Sequence, residues 1–213
     1  MEQTYTLNRA AIAAHLHIAP KKDVRFYLNG VYLNPAKGHL VSTDGSCLLL
    51  TEHAEFKRQD TLPVILPRAE LAAALKLCPK VTEYFELDVA PATDADKPAT
   101  LTFRPSRGIQ TSCAALDGRY PDYPRVIPAT VDGTAGNFDP QLVACMGDAL
   151  QALGNCKSQQ QVRMYQNGPN KAAWMMLDGS SAAPHVGVIM PLRTHDDTPL
   201  ASVTGNVAAL LRG

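Results

Sequence analysis

The side chains that could do chemistry are scattered along this chain. Five cysteines, Cys47, Cys78, Cys113, Cys145 and Cys156, are odd in number and none forms a Cys-x-x-Cys pair. They read as reduced, buried thiols, and neither a disulfide framework nor a zinc site is expected. His15 and His17 stand two apart, so on a helix they point different ways and do not suit a metal. His195-Asp196-Asp197 could attract a cation, against the plainer reading of a solvated tail. Asp94-Ala95-Asp96 lies in a Pro/Ala/Asp loop and reads as a connection. Arg25 beside Phe26-Tyr27 could stack on single-stranded bases, although residues of this kind in a strand are more often packed. There is no phosphate-cradling glycine loop and no nucleophile elbow. The expectation is a binding protein, not an enzyme, with no cofactor and no metal.

Binding is suggested by Asp117-Gly118-Arg119-Tyr120-Pro121-Asp122-Tyr123-Pro124-Arg125-Val126-Ile127-Pro128. Its three prolines fix φ and push the preceding residues towards extended backbone. Gly118 permits a sharp turn on entry. The stretch therefore predicts a stiff, extended connector with no helix through it. It is either a plain linker or one that also walls a binding site.

Composition narrows the partners. Twenty basic residues balance twenty acidic ones, so bulk charge drives the chain to neither nucleic acid nor an anionic membrane. No apolar run is long enough to span a bilayer, and no signal-peptide pattern opens the chain. A cytoplasmic location without membrane contact is expected.

The elements that must position these residues form a repeat. Leu7-Asn-Arg-Ala-Ala-Ile-Ala-Ala-His-Leu16 and Leu66-Pro-Arg-Ala-Glu-Leu-Ala-Ala-Ala-Leu75 match at both leucines, the arginine and three alanines. Each reads as a short strand running into a helix, with Asn8 as a cap in the first copy. Three strands should follow each helix. The first copy reads with one more: Val24–Leu28, turning at Asn29-Gly30 into Val31–Leu33, then His39–Thr43, turning at Asp44-Gly45 into Cys47–Thr51. In the second they are Val81–Val89, Thr100–Arg104 and Gly108–Ala114. A third copy, matching in pattern only, opens at Asp139-Pro140 with a helix to Leu153. Its strands are expected at 162–166, 171–177 and 185–191. The third unit has no fourth to pair with, which predicts an open edge and self-association through that unit, or coverage by the tail.

Four motifs in order resemble one family: Asp23-Val-Arg-Phe-Tyr-Leu-Asn-Gly30, Thr43-Asp-Gly45, the connector, and Val188-Ile-Met-Pro-Leu-Arg193. They resemble the sliding clamp, the beta subunit of bacterial DNA polymerase III. The resemblance implies an α+β DNA-clamp fold: a two-unit domain over 1–116, a connector over 117–128, a half domain over 129–193 and a tail over 194–213. Clamps have three two-unit domains per chain and close as a ring around duplex DNA. The first domain and half of the third are expected to be missing here, with the tail extending past the family's usual end.

The resemblance also implies an apolar pocket for peptides of DNA polymerases or clamp loaders. It would be lined by Leu28, Thr43, Gly45, Leu48, Pro121, Arg125, Val126, Val188, Met190, Pro191 and Leu192. Ser46-Cys47 departs from the family's usual His-Arg and removes a bulky polar rim. Weaker candidates, for duplex DNA without sequence preference, are Arg9, Lys21, Lys22, Arg25, Arg68, Lys76 and Lys80. Ordinary solvated charge competes with that reading, and Asp139 and Asp148 on the third helix oppose it. The implied function is a non-catalytic processivity factor acting as a homo-oligomer. A decoy that sequesters clamp partners without encircling DNA is the alternative, and the apolar end of Asn206–Leu211 could occupy the pocket itself.

Overall fold

The computed structural model describes residues 2–57, 61–92, 97–133, 135–154, 160–179 and 181–192. The chain opens with β1 (Gln3–Asn8), whose last residue caps α1 (Arg9–Ile18). The Asn8 carboxamide oxygen accepts from the amides of Ala10 and Ala11 at 2.9 and 3.1 Å, supplying two helix-end donors with a partner. β2 (Gly30–Asn34), β3 (His39–Thr43) and β4 (Cys47–Glu52) follow. The second unit repeats the order with β5 (Val64–Pro67), α2 (Arg68–Leu77), β6 (Tyr84–Ala90), β7 (Thr100–Ser106) and β8 (Ile109–Ala114). The third has α3 (Pro140–Leu153), with Asp139 as cap, then β9 (Gln161–Tyr165), β10 (Ala173–Asp178) and β11 (His185–Ile189).

The first two units interlock by exchanging lead strands. β1 pairs antiparallel with β6, and β5 with β2. One sheet runs β1-β6-β7-β8, and the other β5-β2-β3-β4-β11-β10-β9. Alternation in β6 explains why the exchange holds: Phe85 and Leu87 turn inward while Tyr84 and Glu86 face water. Ile12, Leu71, Leu33, Leu87 and Phe103 meet in the core that the two units share.

Three expectations need correction. Val24–Leu28 is not a strand, and Asn29-Gly30 is not a hairpin turn. Phe26–Leu28 forms a single 3-10 turn, closed by Asn29, whose carboxamide accepts from the Asp23 amide at 2.7 Å and donates to the Asp23 carbonyl at 2.9 Å. Gly30 is needed for closeness instead: a β-carbon there would lie 2.6 Å from the Leu66 carbonyl oxygen. The connector also holds a 3-10 turn, Tyr123–Val126, with Pro124 in its first turn, where a missing N–H costs nothing. Finally, the third unit is not left open at β11 or along α3. β11 pairs antiparallel with β4, and α3 packs on α1, where Ala11, Ala14 and Ile18 meet Met146, Ala149 and Leu150. No helix among the described residues is long and apolar enough to cross a membrane.

Candidate functional site

The connector crosses the face of the seven-stranded sheet that α1 and α3 do not cover. Two tyrosines fix it there. The Tyr120 ring stacks on Tyr32, with centroids 4.6 Å apart and planes 4° from parallel, and its hydroxyl donates to the Val41 carbonyl at 3.2 Å. The Tyr123 hydroxyl accepts from the Asn34 carboxamide at 3.3 Å and lies 2.8 Å from His39 Nδ1. Burial pushes both phenols up, so both stay protonated and able to donate. Gly118, at φ +121°, lets the chain turn in against Tyr27.

The β3–β4 turn supplies the second wall. Gly45 has φ +95°. Thr43 Oγ1 donates to the Cys47 carbonyl at 2.6 Å and accepts from the Gly45 amide at 3.0 Å. The Asp44 carboxylate accepts from the Ser46 and Cys47 amides at 2.8 and 2.7 Å. Arg25 reaches over this turn: it donates twice to Asp23, at 3.0 and 2.8 Å, and once to the Asp44 carbonyl at 2.8 Å. These bonds hold the Asp23 carboxyl down to about 2. A β-carbon on Gly45 would stand 2.8 Å from the guanidinium, so the glycine makes room for it.

Between these walls is a hollow of about 250 Å³. Its floor is Leu28, Leu48 and Val188, all buried. Leu48 and Val188 are directly opposed in the β4–β11 pairing. Thr43 and Gly45 line it from the turn, Pro121 and Val126 from the connector, and Met190 from beyond β11. Val126 and Met190 are about half exposed at the rim. Eight of the eleven residues expected in the pocket thus lie on one hollow. Arg125 does not line it and pairs with Asp122 at 3.7 Å in solvent. Pro191 and Leu192 lie just past Met190, where the Leu192 amide donates to the Asn137 carbonyl at 2.7 Å. Sequence reasoning left Arg25 and Tyr27 out of the pocket, which they also line, as do Ser46 and Cys47, the departure expected at its rim. Spacing gives no sign that the first two converge here, because their segment was read as a strand. Burial, then the Asp44 charge, pushes the Cys47 thiol up to about 12; the thiol turns to the helix side, 3.9 Å from the Leu142 carbonyl, and is not a nucleophile.

Some of the residues expected to touch DNA are engaged within the fold. Arg68 donates to the Ala19 and Leu16 carbonyls at 2.9 and 3.0 Å, capping the end of α1. Arg9 has its Nε buried at the start of α1, and Arg25 belongs to the hollow. Lys21, Lys22, Lys76 and Lys80 are exposed near the C-terminal ends of α1 and α2, where positive charge offsets the helix dipole. A broader depression of about 920 Å³ lies along β5 and the loop before β7, but none of the expected site residues borders it. Cys47, Cys78, Cys113 and Cys145 are free thiols. Among the described residues no cluster of His, Cys, Asp or Glu could hold a metal. Asp94-Ala95-Asp96, Cys156, His195–Asp197 and Asn206–Leu211 lie outside the described residues.

No family model matches the chain. Curated relatives do. The beta sliding clamp of Caulobacter vibrioides (strain NA1000 / CB15N) is 33% identical over 114 residues, 50% of this chain and 28% of that protein. That of Pseudomonas putida (strain KT2440) is 32% identical over 117 residues, 51% of this chain and 28% of that protein. Solved structures agree in fold. The DNA polymerase III subunit beta of Pseudomonas aeruginosa superposes with TM-score 0.60 at 19% identity, over 90% of this chain and 67% of that one. The beta subunit of Streptococcus pyogenes superposes with TM-score 0.64 at 15% identity, over 90% and 66%. The match thus spans under a third of the curated relatives' length. With the sheet order, the repeat and these likenesses together, the chain is a clamp-like relative of the bacterial DNA polymerase III beta subunit.

Proposed function

We propose that the chain is a non-catalytic, sliding-clamp-like protein of DNA replication in the cytoplasm that binds short peptides of DNA polymerases or clamp loaders in this hollow. On this reading 1–116 is a clamp domain, 117–128 its connector and 129–193 a half domain. One observation carries the reading: side chains from four separate segments converge on a single apolar hollow with a methionine at its rim. Such a hollow suits aliphatic and aromatic peptide side chains, with methionine adapting its shape. The polar edge, from Arg25, Thr43 and Ser46, supplies orientation.

A second reading is supported by the basic residues that the fold already engages. Two of the seven candidates, Arg25 and Arg68, already hold internal partners, and α3 presents Asp148 to solvent. This favours a module that sequesters clamp-binding peptides without encircling duplex DNA. The test uses fluorescence anisotropy with two probes: a labelled peptide carrying the clamp-binding segment of a bacterial polymerase III alpha subunit, and a labelled DNA duplex. Saturable peptide binding lost in Val126→Glu supports the pocket; no binding by well-folded protein refutes it. Peptide binding without salt-dependent duplex binding selects the sequestering module.

A further inference from the structure

In units one and two, the first strand after the helix is closed on its outer side by the other unit's lead strand: β2 by β5 and β6 by β1, both antiparallel. β9 holds this place in unit three. It pairs with β10 on one side, and no described strand pairs with the other. Burial records the difference. Val31 and Leu33 of β2 and Leu87 of β6 are fully buried. Val162 of β9 shares a face with Met164, which packs on the helix layer, yet it is 38% exposed. The edge is not blunted in the usual ways: β9 has no lysine or proline, and its one charge, Arg163, turns back to Asp178 at 2.8 Å.

The residues beyond unit three carry a lead-strand sequence. Ser202-Val-Thr-Gly-Asn-Val-Ala-Ala-Leu210 aligns without gaps on Thr4-Tyr-Thr-Leu-Asn-Arg-Ala-Ala-Ile12, the end of β1 and the start of α1. The second threonine, the asparagine and both alanines are identical, and Asn206 falls on Asn8, the cap of α1. The stretch Thr198–Leu211 carries no charge. Spacing agrees too. β4 ends at Glu52 and β5 begins at Val64, while β11 ends at Ile189 and the aligned stretch begins at Ser202. β5 lies three places from β4, and the antiparallel pairings start it at the end of the sheet where β4 finishes. A strand outside β9 would stand in the same relation to β11, about 14 Å away at about 4.8 Å per strand. The last described residues lead there. The Leu192 amide donates to the Asn137 carbonyl at 2.7 Å, and the neighbouring Gly136 amide donates to the side chain of Gln166, just past β9, at 2.8 Å. From Leu192 the chain to Ser202 can span about 30 Å. We propose that residues 202–205 pair antiparallel with β9 of the same chain as its lead strand, and that Asn206 caps a helix begun over Val162 and Met164. Unit three is then closed by sequence that follows it, as unit one is closed by β5. The peptide hollow, at the β4–β11 seam, stays open.

Amide hydrogen exchange of the full chain, read residue by residue by nuclear magnetic resonance, tests this. Residues 202–205 and the β9 amides turned away from β10 should exchange slowly. Val203 takes the place of Tyr5, which is 3% exposed, and Ser202 that of Thr4, which faces water. Val203→Asp should therefore speed exchange at those β9 amides by at least about tenfold. Ser202→Asp puts the same charge on the opposite face and should leave them unchanged. Protection in β6, unaltered in both variants, checks the fold. Fast exchange at those amides in the wild type, or equal effects of the two substitutions, overturns the proposal. Protection that disappears on dilution also overturns it, because the strand would then come from a second copy. So does protection of the tail that is lost when the clamp-binding peptide is added, which would seat the tail in the hollow.

Discussion

Replacing Tyr120 tests how the connector is held. Its ring is 8% exposed and stacks on Tyr32, and its hydroxyl makes one long bond to Val41. Tyr120→Phe removes only that bond and should cost about 0.5–1.5 kcal/mol. Tyr120→Ala empties the ring's volume beneath the connector and should cost about 3–5 kcal/mol, of which about 0.5–1.5 kcal/mol is the stacked pair itself. Urea unfolding followed by circular dichroism measures both, and an unchanged m-value certifies that stability alone has moved. The variants should also separate in function. Tyr120 does not line the hollow, but its neighbour Pro121 does. Tyr120→Ala should therefore weaken binding of the labelled clamp-binding peptide, while Tyr120→Phe should leave it nearly unchanged. If alanine costs no more than phenylalanine, the ring does not anchor the connector, and the argument that the tyrosines set the connector wall of the hollow fails.

Other outcomes follow from single sites. His15 is fully buried between Ser42 and Thr51, at 2.8 and 2.9 Å, and burial, then the His53 charge, lowers it from 6.5 to about 3. The unfolded chain therefore takes up this proton first, so stability is complete above pH 6.5 and is lost as pH falls towards 3. The loss from His15 is about 2 kcal/mol at pH 5, and His15→Gln should flatten the fall in melting temperature between pH 7 and 5. Gly30→Ala drives a β-carbon into the Leu66 carbonyl and should cost about 2 kcal/mol or more in urea unfolding. Gly187→Ala meets the Met146 sulfur at 2.5 Å and the Met175 carbonyl oxygen at 3.0 Å; the methionine can shift but the backbone cannot, so the cost should be about 1–3 kcal/mol. Met190→Glu, at the rim, should leave the melt unchanged and abolish anisotropy with the clamp-binding peptide.

The elements carrying the repeat were legible because they obey local rules. Asn8 and Asp139 cap helices in the structure as in the sequence, and β3, β4 and α3 run close to where alternation and Pro140 put them. Asp23–Gly30 was misread because its order comes from a side chain. Asn29 closes the loop by bonding Asp23, six residues earlier, and the Asn-Gly pair looks like a hairpin when that partner is unseen. The seam between β4 and β11 could not be read either, because residues 51 and 185 are joined by no local pattern. That omission produced the expectation of an exposed third unit. The pocket residues were reachable only through resemblance to clamps: no periodicity ties Leu28 to Val126 or Met190.

The seam explains why a hollow exists where it does, and why it need not compete with the helices. In a strand, neighbouring residues face opposite sides. At the β4–β11 pairing Leu48 and Val188 point to the face bearing the connector, while Leu49 and Ile189 point to α1 and α3. A register slip of one residue would exchange these sets and empty both cores at once, so the packing of α3 on α1 locks the floor of the hollow. Gly187, opposite Leu49, lets Met146 of α3 approach β11 closely and tightens that lock. The hollow and the helix layer are therefore opposite faces of one sheet. A peptide seated against Leu48 and Val188 leaves the helix layer free, and charge reversal at Lys76 and Lys80 should alter any duplex binding without moving the peptide affinity. A fall in peptide affinity in that variant would show that the two faces are coupled through the sheet.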